Sequence, residues 1–156
     1  MLWCVPFDSI PLIPRHCLCH DDVSDSEITA HALTHRREGE YVGEFGTGWN
    51  NSNYWFGQTG RHNVVFPEVA QFAYDVVYDD KLKKVQYQKH KEIVKFLQSM
   101  NGKNSQKKLT LQWNSRSFTN LCEKAVRRRD KVLMQFCGDV ANKEWRLLVD
   151  DCYTRI

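Results

Sequence analysis

The sequence lacks the long apolar segments that membrane-spanning and secreted chains need. No apolar stretch approaches the roughly 20 residues that a membrane-spanning helix requires. The first residues are apolar, but Pro6 interrupts them and Asp8 ends them before they reach the length of a signal-peptide core. We therefore predict a soluble protein, without a transmembrane segment, in the cytoplasm.

The sequence also has no strong excess of one charge, and a chain of this size does not need disulfides to fold. Its 22 lysines and arginines face 19 acidic residues, and the acidic residues are spread along the chain, so nothing resembles a basic nucleic-acid-binding arm. Six cysteines would suffice for a disulfide framework, but a chain of 156 residues with 42% hydrophobic residues can bury a core without one. We predict that all six are thiols and that Cys4, Cys137 and Cys152 pack in the core.

The length and composition of the chain predict one domain over 1–156. Alternating patterns predict strands over 15–20 and 108–113 and further β structure from Asn63 to Tyr87, while Glu27 to Leu33 fits a strand or a short helix. Residues 36–62 are rich in glycine and aromatic residues, which predicts an ordered loop.

Helical spacing appears in the second half of the chain. It predicts one helix after His90 that stops at Asn101, a helix that begins near Cys122, and a terminal helix over 143–152. In the second of these helices the spacing places Ala125, Val126 and Leu133 on the inward face, with Val132 and Phe136 as further candidates for it. At the start of a helix, Cys122 would meet free backbone N–H groups and the positive end of the helix dipole. Both favour the thiolate, so the position predicts a reactive thiol that needs a histidine as its base.

The order of these motifs carries a resemblance. Phe7 to Arg15 leads into a histidine in a strand, a β-rich middle follows, and Lys91 to Leu97 precedes Asn120 to Glu123. This order resembles that of the lecithin:retinol acyltransferase family and its phospholipase/acyltransferase relatives. The resemblance implies the α+β class, with an antiparallel sheet packed against helices in a permuted papain-like (NlpC-like) domain. Its core would cover 5–136, with a helical extension over 137–156.

The resemblance implies a thiol-dependent acyltransferase or phospholipase-like acyl hydrolase that needs no cofactor. Cys122 would be the nucleophile and His16 the base, with His20 as an alternative because both histidines share one face of the predicted strand. His31 or His35 would orient the imidazole. The thiolate would attack a phospholipid or another acyl ester and pass the acyl group to water or an amine, at the periphery of a membrane.

A second interpretation is a catalytically inactive protein of the same fold, viral or regulatory, that binds a protein, lipid or RNA partner. It would use the aromatic segment Trp49 to Phe56 and a basic run that suits anionic membrane surfaces or RNA phosphates, namely Arg127, Arg128 and Arg129. That run is equally typical of a solvated helix face. The oligomeric state stays open.

A structural zinc site is a further alternative for some of the same residues. Five side chains in the N-terminal part can ligate a metal: Cys17, Cys19, His20, His31 and His35. The Cys-x-Cys spacing differs from the Cys-x₂₋₄-Cys knuckles of familiar zinc sites, so we do not include a metal among the predicted cofactors.

Overall fold

The computed structural model describes residues 25–43, 46–58, 62, 65–79, 81, 84–101 and 111–154. The elements in these ranges are α1 (Asp25–Glu38), β1 (Val42–Gly43), β2 (Gly46–Thr47), α2 (Gly48–Gln58), α3 (Val65–Tyr78), α4 (Val85–Gln88), α5 (Lys91–Met100), α6 (Ser115–Arg128) and α7 (Lys131–Thr154). The described part of the chain is mostly helical, and β1 and β2 form a small antiparallel sheet, which is compatible with the α+β class.

Several predictions fall outside the described residues, among them the strand over 15–20 and the first half of the strand over 108–113. In its second half, Leu111 forms an isolated bridge with Asn101. Within the described ranges, no helix combines the length and the apolar character needed to cross a membrane.

The prediction of β structure from Asn63 to Tyr87 is wrong. Residues Val65 to Tyr78 form α3, and Val85 to Gln88 form the single turn α4. The buried positions of α3 follow a helical repeat rather than an alternation: Val65, Phe66, Val69, Ala70, Ala73, Val76 and Val77. Clustered β-branched and aromatic residues favour strands only weakly, and burial of one helix face overrides that preference. Of the two alternatives left open for Glu27 to Leu33, a strand or a short helix, the helix is correct, since the segment lies in α1.

The prediction of a loop over 36–62 is also wrong, because α2 occupies its centre. The glycines lie mainly in the connection before α2, where they permit a tight reversal. Gly39 has a φ of +59°, the left-handed conformation that often ends a helix. A Cβ atom on Gly48 would lie 2.5 Å from the carbonyl oxygen of His35. Only glycine allows α2 to begin this close to the end of α1.

The helix predicted after His90 is confirmed as α5, which ends at Met100 before its C-cap Asn101. The basic helix predicted from Cys122 is instead two helices. Arg129, with a φ of +52°, closes α6, and the side chain of Asp130 accepts a hydrogen bond from the backbone N–H of Leu133 (3.1 Å) at the start of α7. The predicted terminal helix is the second half of α7.

The core lies between these helices. Ala125, Leu133 and Phe136, predicted to face inward, are fully buried, as are Phe118 of α6 and Leu148 of α7. Because Leu148 and its neighbours are core residues, the segment after 136 packs into the core together with the rest of α7.

A buried ion pair joins α1 to α7 within this core. Arg36 is 5% exposed and Glu144 is fully buried, and their side chains form a direct ion pair. The Nε of Arg36 also donates a hydrogen bond to Oγ1 of Thr119 on α6 (2.9 Å). The guanidinium lies 4.9 Å from the ring centre of Phe56 and 4.8 Å from that of Phe118, within the range of cation–π contacts. Arg36 thereby connects α1, α2, α6 and α7.

We expect the variant Glu144→Leu to lose about 3–5 kcal/mol of unfolding free energy, because it leaves the Arg36 charge buried without its counter-ion. The double variant Arg36→Met/Glu144→Leu should recover most of that loss, since it removes both charges. Urea unfolding followed by circular dichroism measures both. Equal stability of Glu144→Leu and the wild type would contradict this account of the core.

Candidate functional site

Cys122 does not lie where the sequence predicted. It is in the middle of α6, well past the first helical turn, and is 3% exposed. Its neighbours there already make intrahelical hydrogen bonds, so free N–H groups do not reach the thiol. The helix begins instead at Asn114, whose side chain accepts a hydrogen bond from the N–H of Ser117 (2.9 Å). The prediction that free N–H groups and the helix dipole stabilise a thiolate at Cys122 is therefore wrong.

The Cys122 thiol interacts with a second thiol inside the core. Cys122 and Cys137 of α7 are buried free cysteines joined by a side-chain hydrogen bond. Burial raises the pKa of Cys137 well above its ordinary value, and the bond to Cys122 raises it further, while the positive charge of Arg36 opposes both. Cys137 and Cys152, predicted to pack in the core, are both buried there.

The predicted histidines do not meet Cys122 in the described structure. His31 and His35 lie one turn apart on α1, and their side chains contact each other, Glu38 and Trp55 rather than the Cys122 sulfur. His16 and His20 lie outside the described residues, as do Cys17 and Cys19. Among the residues that are described, no three potential metal ligands cluster.

The basic run at the end of α6 is largely paired with carboxylates. Arg127 contacts Glu123 (2.6 Å) and Glu40 (3.7 Å). Arg128 contacts Glu92 at 3.4 Å, and Lys124 contacts the same carboxylate at 2.9 Å. These ion pairs are exposed or half-buried and contribute little to stability, but they neutralise much of the positive charge that a lipid or RNA surface would meet.

A polar groove lies on the outer face of α2. It has a volume of about 550 Å³ and is lined by Asn50, Asn53, Tyr54, Gly57, Gln58 and Arg116. Five of these residues are on α2, and Arg116 comes from the first turn of α6. Tyr54 is 60% exposed. We call this feature the α2 groove.

The walls of the α2 groove are held by the packing behind them. The opposite face of α2 is buried through Trp49, Ser52 and Phe56. The side-chain amide of Asn53 donates a hydrogen bond to Oδ1 of Asn120 (2.9 Å), which ties α2 to α6. A Cβ atom added to Gly57 would meet nothing within 4 Å, so the groove is open at this position. The groove presents amide donors and acceptors, one aromatic ring and one guanidinium.

Sequence reasoning identified the segment that contributes Asn50, Asn53 and Tyr54, but it missed Gly57, Gln58 and Arg116. The α2 residues of the groove recur at helical spacing within one segment: Asn50, Asn53, Tyr54, Gly57 and Gln58. Treating 36–62 as a loop hid that repeat. The sequence also contained a signal for the burial of Arg36 in the ion pair with Glu144. Arg36 continues the inward face of α1 that Thr29, Ala32 and Leu33 define.

Comparison with protein-family models, with curated proteins and with solved structures found no match to this chain.

We expect Cys122 and Cys137 to resist alkylation by iodoacetamide near neutral pH in the folded protein and to react on unfolding in urea, because both thiols are buried. Peptide mass spectrometry of timed samples measures each rate. Rapid, selective modification of native Cys122 that slows in His16→Ala would contradict this expectation and support the predicted nucleophile and base.

We expect Glu92 to titrate below its ordinary range. The hydrogen bond from Lys124 lowers the pKa of Glu92, the charges of Lys124, Arg128 and Lys95 lower it further, and partial burial opposes them. A lowered folded pKa stabilises the protein above the ordinary glutamate pKa, and this contribution disappears as the pH falls through the folded value.

In Lys124→Gln the pKa of Glu92 should rise toward its ordinary value, whereas Lys131→Gln, which changes an exposed lysine of α7, should leave it unchanged. NMR titration of the Glu92 carboxyl carbon measures the shift. The same titration curve in both variants would show that Lys124 is not its cause.

Proposed function

We propose that this protein is a non-catalytic interaction module that binds an extended, acidic peptide segment of a partner protein in the α2 groove. The groove carries the proposal, because amide side chains, an exposed tyrosine and an arginine line one shallow, open surface there. The buried face of α2 supports these groups on a rigid helix.

The lining suits a polypeptide backbone. The exposed side chains of Asn50 and Gln58 each offer one acceptor and two donor hydrogens, which complement the C=O and N–H groups of an extended peptide, whereas the amide of Asn53 already donates to Asn120. Tyr54 offers a flat apolar face with a polar tip, a combination common in protein interfaces. Arg116 is the charged lining residue, and its planar guanidinium binds carboxylates in a bidentate manner.

The pairing of the basic run favours a protein partner over an RNA or lipid surface. Phosphate binding depends on cations that are free to displace counter-ions. Arg127 and Arg128 already face Glu123, Glu40 and Glu92. Arg116 lies at the other end of α6 and faces the groove.

Thiol-dependent acyl transfer, with the family resemblance and the permuted papain-like fold behind it, is the competing proposal. It requires a histidine base at Cys122, and its candidates His16 and His20 lie outside the described residues. The burial of Cys122 and its bond to Cys137 favour a packing role for this thiol over a nucleophilic one. The alkylation experiment above distinguishes the two proposals.

We expect an oriented library of short peptides, in which each residue type is fixed in turn, to show enrichment of Asp or Glu at one position when selected with the wild-type protein. Arg116→Gln should abolish that enrichment. It should also lower the affinity for an enriched peptide by about tenfold or more, because it removes a charge-assisted hydrogen bond. Fluorescence anisotropy of the labelled peptide measures the affinity.

Two pairs of variants make the test specific. Gly57→Trp should block the groove, whereas Gly57→Ala adds only a methyl group and should keep binding while stabilising α2. Arg146→Gln, which changes an exposed arginine of α7, should bind like the wild type. Selection without acidic enrichment would contradict the proposal. So would tight binding of labelled oligouridylate that depends on Arg127 to Arg129 and not on Arg116.

A further inference from the structure

His31 and His35 of α1 present two ring nitrogens to one point at the surface. Their Nε2 atoms are 3.2 Å apart, closer than their ring centres at 4.6 Å, so the Nε2 edges of the two rings face each other. Two imidazole nitrogens bound to one tetrahedral ion at 2.0–2.1 Å would lie about 3.3 Å apart. The described conformation therefore already has the spacing of two ligands on one metal ion.

Glu38 fixes the ring of His35 in the form that a metal needs. Its Oε2 lies 2.7 Å from Nδ1 of His35, one helical turn further along α1. A carboxylate can only accept, so Nδ1 carries the hydrogen, and in the neutral ring the lone pair is then on Nε2. A carboxylate behind a histidine is the usual outer partner of a metal-binding imidazole, which it orients and makes more basic.

The His31 ring is also held in place. It packs edge-on against Trp55 of α2, with ring centres 4.6 Å apart, while the residue as a whole is exposed. In the 3.2 Å contact, Nε2 of His31 donates to the lone pair on Nε2 of His35. Metal binding therefore requires the other neutral tautomer of His31, in which Nδ1 carries the hydrogen and Nε2 the lone pair.

We propose that His31 and His35 form a surface site for one divalent transition-metal ion of the kind that prefers imidazole, such as Ni²⁺, Cu²⁺ or Zn²⁺. Each histidine supplies its Nε2 atom, Glu38 positions His35 from behind, and water completes the coordination. Hard ions such as Mg²⁺ and Ca²⁺ prefer oxygen ligands and do not suit a pair of imidazoles. This site is independent of the α2 groove.

The test is a titration of the full chain with Ni²⁺, followed by calorimetry and by tryptophan fluorescence. We expect one ion to bind and to quench Trp55, the tryptophan that touches His31. His31→Gln and His35→Gln should each weaken binding by at least about tenfold, and Glu38→Gln by about tenfold, the lower end of the range for such outer partners. Trp55→Phe should keep the affinity and lose most of the quenching. Glutamine keeps the helical propensity of α1, and circular dichroism checks the fold.

Two control variants separate this site from other sources of binding. Arg37→Gln changes an exposed residue of the same helix and should bind like the wild type. Cys17→Ser/Cys19→Ser removes the thiols of the zinc site that the sequence permits, and it should also retain the affinity. Undiminished binding in His31→Gln or His35→Gln, loss of binding in Cys17→Ser/Cys19→Ser, or no binding to the wild type would each overturn the proposal. In the last case the 3.2 Å contact is a hydrogen bond between two histidines and nothing more.

Discussion

The ion pair between Arg36 and Glu144 is the contact on which the arrangement of the helices depends. A buried charge is tolerated only when its partners are in place, so the guanidinium requires Glu144, Thr119 and the two aromatic rings at the same time. These partners lie on α2, α6 and α7. Apolar packing alone tolerates sliding between helices, whereas a directional ion pair selects one relative position of the helices. We regard this selection as the role of the pair between Arg36 and Glu144.

The α2 groove depends on this relative position of the helices. Phe56 anchors the buried face of α2 beside Arg36, and Phe118 anchors α6 on the other side of the same guanidinium. With both helices held at one point, Asn53 can reach Asn120, and Arg116 comes to the edge of the amide-lined face. The proposed binding surface is thus the outer side of the same packing that buries the charge.

The two proposed sites share α2 as a support but differ in chemistry. The groove uses neutral amides and one guanidinium, which suit a polypeptide, while the histidine pair on α1 uses imidazole lone pairs, which suit a divalent transition-metal ion. Trp55 on α2 orders the His31 ring, and Tyr54 beside it, in edge contact with Trp55, faces the groove. Cys122 belongs to neither site: its place inside α6 makes it a core residue, which shows how strongly the environment of a thiol determines its chemistry.

The sequence by itself determined features that depend on neighbours along the chain: α5 with its stop at Asn101, the inward side chains of Ala125, Leu133 and Phe136, and the burial of Cys137 and Cys152. It also marked the segment from Trp49 to Phe56 and the pair His31 and His35 as candidates for a functional role. Only the tertiary structure decided that 65–78 is a helix, because burial of one face outweighs the strand preference of valine and aromatic residues. Likewise, the partners of Arg36 and the meeting of Arg116 with α2 join residues far apart in the chain, and local patterns carry no information about contacts of that kind.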